Sequence, residues 1–525
     1  MRKFFDNKLV FVCIGIACAI IWIIKVFALG IGTFPSGDNL TYASIARSIV
    51  ENFSISHISA LPSDIKTLGG FPQYDISQNI GLPLFLVPFF ILFGTNNFAI
   101  MMSSLALYIA NAFFTFIISY KLFNRKVAIT ATYLFIFSSS YYNYISSGLT
   151  EPLLILLLMM VSYVQFFIRS EYKGVLVGLL IYALYLTKSG LAIFILPYFF
   201  VHWLLYEDRS SKYILGIIFT LAIISVPLIL RTALLDLSTY SKKSGLLDLV
   251  FNISKDKEIW YSGLRSLDFP TDWLDPDRYL VENYQIYVKK YFMTFYTLYL
   301  KTYGANYLFS GSVIFCAYVL TQTKNKSENV FKFFTLGLFG LLFFGFSIGW
   351  PIERYLLPVA PFILIAIASY AVPVITGANK SYVAIILLIG MQAPWVGFLV
   401  KDIYLSGSRV NYDQLGEYIK NNTKDDDIII SNAPGLVGWY SNRKSILYPN
   451  SFLQTEKLND INSKINTVIL TDELNSLFRS NLNQNLWDDI YINRSQKIGT
   501  RFCLEDVYTD KNQPYSALLY KLCEE

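Results

Sequence analysis

Long apolar runs, parted by short polar segments, fill residues 9 to 400 of this 525-residue chain; past them the pattern shifts to short helix-like and strand-like stretches. A helix rising about 1.5 Å per residue needs about 20 mostly apolar residues to cross a hydrocarbon core. On that measure eleven spans are expected, at about residues 9–29, 97–120, 127–145, 153–168, 174–187, 190–206, 213–230, 304–321, 333–349, 355–373 and 382–400. The run GLPLFLVPFFILFG (81–94) is shorter and carries Pro83 and Pro88, so it reads as an interfacial or re-entrant helix. In the tail, YDQLGEYIKNN (412–422) has helical spacing, and DIIISN (427–432) and NTVILTD (466–472) read as strands. The expected fold is therefore a polytopic α-helical membrane protein of about 11 transmembrane helices over residues 1–404, with a soluble extracytoplasmic α/β domain over 405–525.

Composition agrees: 54% of residues are hydrophobic, 17% aromatic and only 15% charged, too apolar for an ordinary soluble domain. The net charge of +6 says little about partners, and nothing supports nucleic-acid binding; where the cations fall says more. Arg2, Lys3, Lys8, Lys121, Arg125, Lys126, Arg169, Lys173, Arg209, Lys212, Lys324, Lys326, Lys332 and Lys380 all fall in segments that alternate to one side. The short loops on the other side offer Lys188 and Arg354. By the positive-inside rule the N-terminus is cytoplasmic, the first run is an anchor rather than a cleaved leader, and the tail lies outside a plasma (inner) membrane. Residues 30–96 and 231–303 also project outward. Of the five cysteines none has metal-ligand spacing; Cys503 and Cys523 fall in the outer tail, which leaves a disulfide and free thiols equally open.

With sides assigned, ionisable groups near the outer membrane surface become informative, because a charge in hydrocarbon persists only with a partner or a water-filled site. Lys25, Lys188, Arg231 and Arg354 all lie toward the outer ends of spans, on the level where Asp38 and Glu151 emerge. Any one of these cations could merely snorkel. Four with two acids favour a polar cavity open to the outside, suited to a phosphate whose lipid tail stays in the bilayer. SGDNLTYASIARSIVEN (36–52) adds a short helix: Ser36 or Asp38 can cap it, and Leu40, Ala43, Ala46 and Val50 form an apolar face opposite Asn39, Ser44, Arg47 and Glu51. Such a helix lies in the interface.

DNLTYASIAR (38–47) resembles the opening of the first outer loop in C-type (GT-C) glycosyltransferases of the protein O-mannosyltransferase and lipid A aminoarabinose transferase kind, where the pattern is D-E-x-x-Y-A-x-I-A-R. SQNIGLPLFLVPFFILFG, SSGLTEPLLILLL, LTKSGLAIFILP, PLILR and ERYLLPVAPFIL resemble later segments of that family in order, over about residues 1–400. The resemblance implies inverting transfer of a sugar from a polyprenyl-phosphate donor to an acceptor hydroxyl of a glycan, lipid or protein on the outer face. It makes Asp38 the general base, and the outer-face cations Arg231, Lys188, Arg354 and Lys25 are, by their place at that level, the candidates for the donor phosphate. Glu151, Tyr42 and Tyr355 become candidates for acceptor or sugar. Asn39 stands where many members have a second acid, so no divalent metal or other cofactor is expected.

His57 in the first outer loop, the aromatic run SSSYYNYISS (138–147), and Tyr261, Arg265, Trp273 and Arg278 in the long loop are weaker candidates. An oligosaccharyltransferase is a rival, but GLVGWYSNRK (435–444) lacks the acid of a W-W-D-Y-G peptide-reading motif. A transporter is the non-enzyme rival; it predicts midplane sites and inverted repeats, whereas here the polar groups gather at one face.

Overall fold

A computed structural model describes residues 8–29, 37–62 except His57, 80–188 except Glu171, 212–222, 284–299, 326–348, 353–376, 382–405, 412–449, 465–472, 484–510 and 516–523, with a few single residues between. The helical part begins with α1 (Lys8–Leu29), α2 (Asp38–Asn52), α3 (Gly81–Phe93) and α4 (Asn97–Leu122). It continues with α5 (Arg125–Ile136), α6 (Glu151–Phe167), α7 (Lys173–Thr187), α8 (Lys326–Ile348), α9 (Ala360–Thr376) and α10 (Ala393–Leu405). Among the described residues three helices are long and apolar enough to cross a membrane: Lys8–Phe27, Asn97–Leu122 and Arg354–Thr376. Shorter apolar helices include α3, α6, α7 and Lys212–Ala222.

Two expected spans are broken in the structure. The run at 127–145 stops at Ile136, and a separate turn of helix covers Ser139–Tyr142. Tyr108 Oη donates to the Ile136 carbonyl at 2.6 Å, taking the acceptor that would continue the helix into the following serines. The run at 382–400 divides into Tyr382–Gly390 and α10, because Pro394 has no N–H to offer the Gly390 carbonyl. Pro358 coincides with a third irregularity, a 3-10 stretch over Glu353–Val359 that leads into α9. The expected spans at 190–206 and 304–321 lie outside the described residues apart from Tyr318 and Val319, as does the end of the one at 213–230. A helix at Tyr284–Tyr299 lies within the 231–303 stretch that the sequence reading expects to connect two spans.

The tail is an α/β unit, as its spacing predicts. Its helices α11 (Tyr412–Asn422) and α12 (Pro434–Ser441) accompany β2 (Ile428–Ser431), β3 (Lys444–Leu447), β4 (Ile465–Thr471), β5 (Lys497–Ile498), β6 (Phe502–Thr509) and β7 (Ser516–Leu522). The sheet has one more strand than the tail supplies: β1 (Ser59–Ala60), from the segment between α2 and α3, pairs in parallel with β3 through Ser59 opposite Ser445 and Ala60 opposite Ile446. The order is β1-β3-β2-β4-β7-β6-β5, parallel as far as β4 and antiparallel after it. Both faces are covered. Ile428, Ile430, Val468 and Leu470 pack with Trp487, whereas Ile429 and Ile469 alternate to the side of Leu415, Ile419, Leu436 and Val437. Cys503 and Cys523 form a disulfide that ties β6 to the end of β7.

Candidate active site

Asp38 occupies the first turn of α2, with Gly37 in the cap position. Its carboxylate is therefore not spent on capping: Oδ2 accepts a hydrogen bond from Arg354 Nη2 at 2.7 Å, and the side chain keeps 49% of its exposure. Arg354 reaches it from the 3-10 stretch ahead of α9. Through Nε the same guanidinium faces Glu151 Oε1 at 3.4 Å. Lys188 Nζ stands 3.8 Å from that same oxygen. Two acids and two cations thus alternate in one cluster, with Arg354 between the acids.

Local packing brings these groups to one level. Asn111 of α4 donates to the Pro152 carbonyl at 2.9 Å and fixes the first turn of α6, on which Glu151 sits. Gly148, at φ 65°, turns the chain just before it; a Cβ there would lie 2.6 Å from Ile100 Cγ2 and against Asn39 Cβ, so a larger residue would push the Glu151 turn away from α2. Lys188 follows the last residue of α7, where Gly81 of α3 approaches so closely that a Cβ would lie 2.7 Å from the Thr187 backbone nitrogen. The start of α3 and the end of α7 are thereby held together.

Glu151 is 1% exposed, and its contacts with the two cations are ion pairs, neither being a hydrogen bond of normal length. Burial lowers the Lys188 ammonium from 10.5 to about 8, with Glu151 acting in the opposite direction. Tyr42, one helical turn after Asp38, has its hydroxyl held far above the usual range by burial and then by the negative charges of Asp38 and Glu151, so it remains a neutral donor. Tyr355 lies beneath the cations, its ring centroid 3.6 Å from Lys188 Nζ and 5.3 Å from the Arg354 guanidinium carbon. Such a site can take a proton at Asp38 and hold an anion beside Arg354 and Lys188.

Five of the candidates named from sequence, Asp38, Glu151, Lys188, Arg354 and Tyr355, meet here, with Tyr42 beside them. Lys25 does not: it forms an ion pair with Asp402 of α10, its ammonium 4.1 Å from the Tyr142 ring centroid. Arg231, His57, Tyr261, Arg265, Trp273 and Arg278 lie outside the described residues. In SSSYYNYISS, Tyr141 and Tyr142 are buried, and Tyr141 stacks on Tyr108 and accepts from Asn111, a packing role with no face left for a sugar. Most of the polar face of α2 is also not open to water: Asn39, Ser44 and Arg47 are buried, Arg47 beneath Trp439 of α12, and Glu51 alone of the four stays exposed. Reading α2 as an isolated amphipathic helix misses this, because nothing local to α2 announces a partner nearly 400 residues away.

No family model matches the sequence, and no curated protein matches it either. Solved structures do. The oligosaccharyltransferase from Archaeoglobus fulgidus in its apo form superposes at a TM-score of 0.57 with 13% identity, over 97% of this chain and 74% of that one. AglB from Archaeoglobus fulgidus in complex with an inhibitory peptide and a dolichol-phosphate gives 0.56 with 11% identity over 97% and 74%. ArnT from Cupriavidus metallidurans bound to undecaprenyl phosphate gives 0.56 with 10% identity, over 96% of this chain and 97% of that one. At these identities the likeness is one of fold alone, and it is the fold that the GT-C resemblance of the sequence implies.

Proposed function

We propose that this protein transfers a sugar from a polyprenyl-phosphate donor to an acceptor hydroxyl at the outer face of the membrane, with its N-terminus in the cytoplasm and the 405–525 unit outside. The observation that carries this reading is the alternation of a half-exposed acid, Asp38, with Arg354, Glu151 and Lys188 in a protein of GT-C fold. The solved relatives add support, since the ArnT structure holds undecaprenyl phosphate and the AglB structure a dolichol-phosphate.

In this reading Asp38 Oδ1 takes the proton of the acceptor hydroxyl while the oxygen attacks the anomeric carbon. The bond from that carbon to the phosphate oxygen breaks, its electron pair leaves with the polyprenyl phosphate, and attack opposite the leaving group inverts the centre. Arg354, which serves Asp38 through Nη2 and faces Glu151 through Nε, brings its charge to the phosphate, and Lys188 supplies a second. Glu151 holds both cations in place and, lacking a hydrogen bond of normal length, has lone pairs for a sugar hydroxyl.

A divalent metal does not fit this donor set. The two carboxylates are already compensated by a guanidinium and an ammonium, a dication would stand beside both, and Asn39 offers no second charge next to Asp38. A metal-independent reaction follows. The oligosaccharyltransferase alternative gains nothing from Trp439 and Tyr440, which are buried in packing against the first outer loop instead of open to a peptide. The test is reconstitution with radiolabelled polyprenyl-phosphate sugars in EDTA. Transfer by wild type and its loss in Asp38→Asn are expected; undiminished transfer by that variant would remove Asp38 as the base, and loss in EDTA with recovery in manganese would overturn the metal-free step.

A further inference from the structure

Arg47 is charged, lies in α2 nine residues after Asp38, and is 8% exposed. Its guanidinium carbon stands 3.7 Å from the Trp439 ring centroid, and Nη1 donates to the Trp439 carbonyl at 3.0 Å and to Asn442 Oδ1 at 3.1 Å. Nη2 reaches back to the Thr95 carbonyl at 3.4 Å, between α3 and α4. Asn442 ends α12 in the left-handed region, φ 52°, which turns its side chain's acceptor toward Arg47. Trp439 is in turn fixed from the membrane side: Nε1 donates to Asn97 Oδ1 at 2.8 Å, Asn97 Nδ2 donates to Tyr440 Oη at 3.3 Å, and Phe90 of α3 lies 6.1 Å from the indole. Beside this contact the first outer loop enters the sheet as β1, and Ser445 N donates to the Ile58 carbonyl at 2.9 Å.

We infer that Arg47 and Trp439 are positioning residues through which the outer domain sets the placement of α2, and with it Asp38. The inference rests on the reading of Asp38 as the catalytic base. The physical reason is leverage. At about 1.5 Å per residue Asp38 lies roughly 13 Å along the helix from Arg47, so a tilt of about 5° at the latch moves the carboxylate by about 1 Å. A desolvated guanidinium over Trp is among the stronger contacts a side chain can make, and here its carbonyl and amide acceptors belong to the same short helix. The outer domain is thus a working part of the site and not an appendage.

Hydrogen exchange on the full-length protein in phospholipid nanodiscs tests this without any donor. Exchange of α2 amides over 39–48 is expected to speed up by about tenfold in Arg47→Ala and Trp439→Leu, the loss of one desolvated cation-π contact with its hydrogen bonds. Arg47→Lys, which keeps a cation over the ring, restores part of the protection, and Asn442→Gly, which keeps the left-handed turn but removes one acceptor, gives a smaller increase. Amides of β2 and β4 stay as in wild type. Unchanged α2 exchange in Arg47→Ala and Asn442→Gly overturns the inference. So does loss of protection in β2 and β4 in step with α2, which would mean that the contact only holds the domain together. Should Trp439→Leu fail to fold, Arg47→Ala and Asn442→Gly decide. Failure of the catalytic reading shows separately, as transfer surviving Asp38→Asn.

Discussion

Arg354 and Asp38, separated by 316 residues of sequence, share a hydrogen bond of 2.7 Å, and the guanidinium that makes it also faces the buried Glu151. One cation therefore organises both acids of the site. Replacing it with Met leaves Glu151 with Lys188 alone and Asp38 without its donor. Transfer should fall by about 10²-fold or more, the loss typical of one preorganised donor at a developing charge. Arg354→Lys should recover little, since an ammonium lacks the planar fork that meets two carboxylates at once. Steady-state transfer rates and thermal unfolding of both variants check this; a lysine variant with wild-type rates would show that the bridging geometry is irrelevant.

Lys188 makes the site sensitive to alkali. Its pKa is lowered to about 8, so the ammonium is intact at pH 7 and is lost as pH rises through about 8, and with it a charge for the phosphate. Transfer should therefore decline above pH 8, and Lys188→Arg should move that decline upward. Linkage gives stability the opposite sign: between about 8 and 10.5 the unfolded chain still binds the proton that the folded one has released, so this group's unfavourable contribution to stability fades as pH rises across that window. Glu151 raises the Lys188 pKa, so Glu151→Gln should shift the alkaline decline below its wild-type position. A pH profile of the three proteins measures all of this, and coincident profiles would detach Lys188 from the reaction.

How much of this was legible beforehand depends on which links are local. Apolar length foretold most described helices, and the alternating tail foretold β2 and β4. The expected spans that broke did so at Ile136, where a tyrosine from another helix takes a carbonyl, and at Pro394, where the sequence itself carried the signal. The level of Asp38, Glu151, Lys188 and Arg354 was legible from topology, but their pairing was not, because ion pairs between separate helices leave no spacing in the sequence. Arg47 and Trp439 were missed for the same reason: each looked ordinary until the other was beside it.

The disulfide of the C-terminal α/β unit should contribute to its stability independently of the site. Cys503 and Cys523 are 20 residues apart, and closing a loop of that length in the unfolded chain is worth about 3 kcal/mol in the chain-entropy model. Cys503→Ser should lower the unfolding temperature of the domain, and dithiothreitol should lower wild type to the same value while leaving the variant unchanged. A melting curve insensitive to reductant would show that the bond is not formed in solution.

Lys25 and Asp402 offer a sharper choice between structure and chemistry. Lys25 is 4% exposed on α1, Asp402 sits near the end of α10, and the two close an ion pair between helices 377 residues apart in sequence. Removing one partner leaves the other's charge buried, a loss of about 3–5 kcal/mol for such pairs, so Asp402→Asn and Lys25→Met should each destabilise the helical region strongly. If Lys25 serves only this pair, exchanging the charges, Lys25→Asp with Asp402→Lys, should recover much of the stability and the transfer rate together. A direct role at the donor phosphate gives a different pattern: the exchanged protein regains stability while transfer stays low, because the cation has moved to the other helix. The pairing seen here and the 4.1 Å approach to Tyr142 favour joint recovery, and comparing unfolding temperature with transfer rate across the four proteins decides between the two.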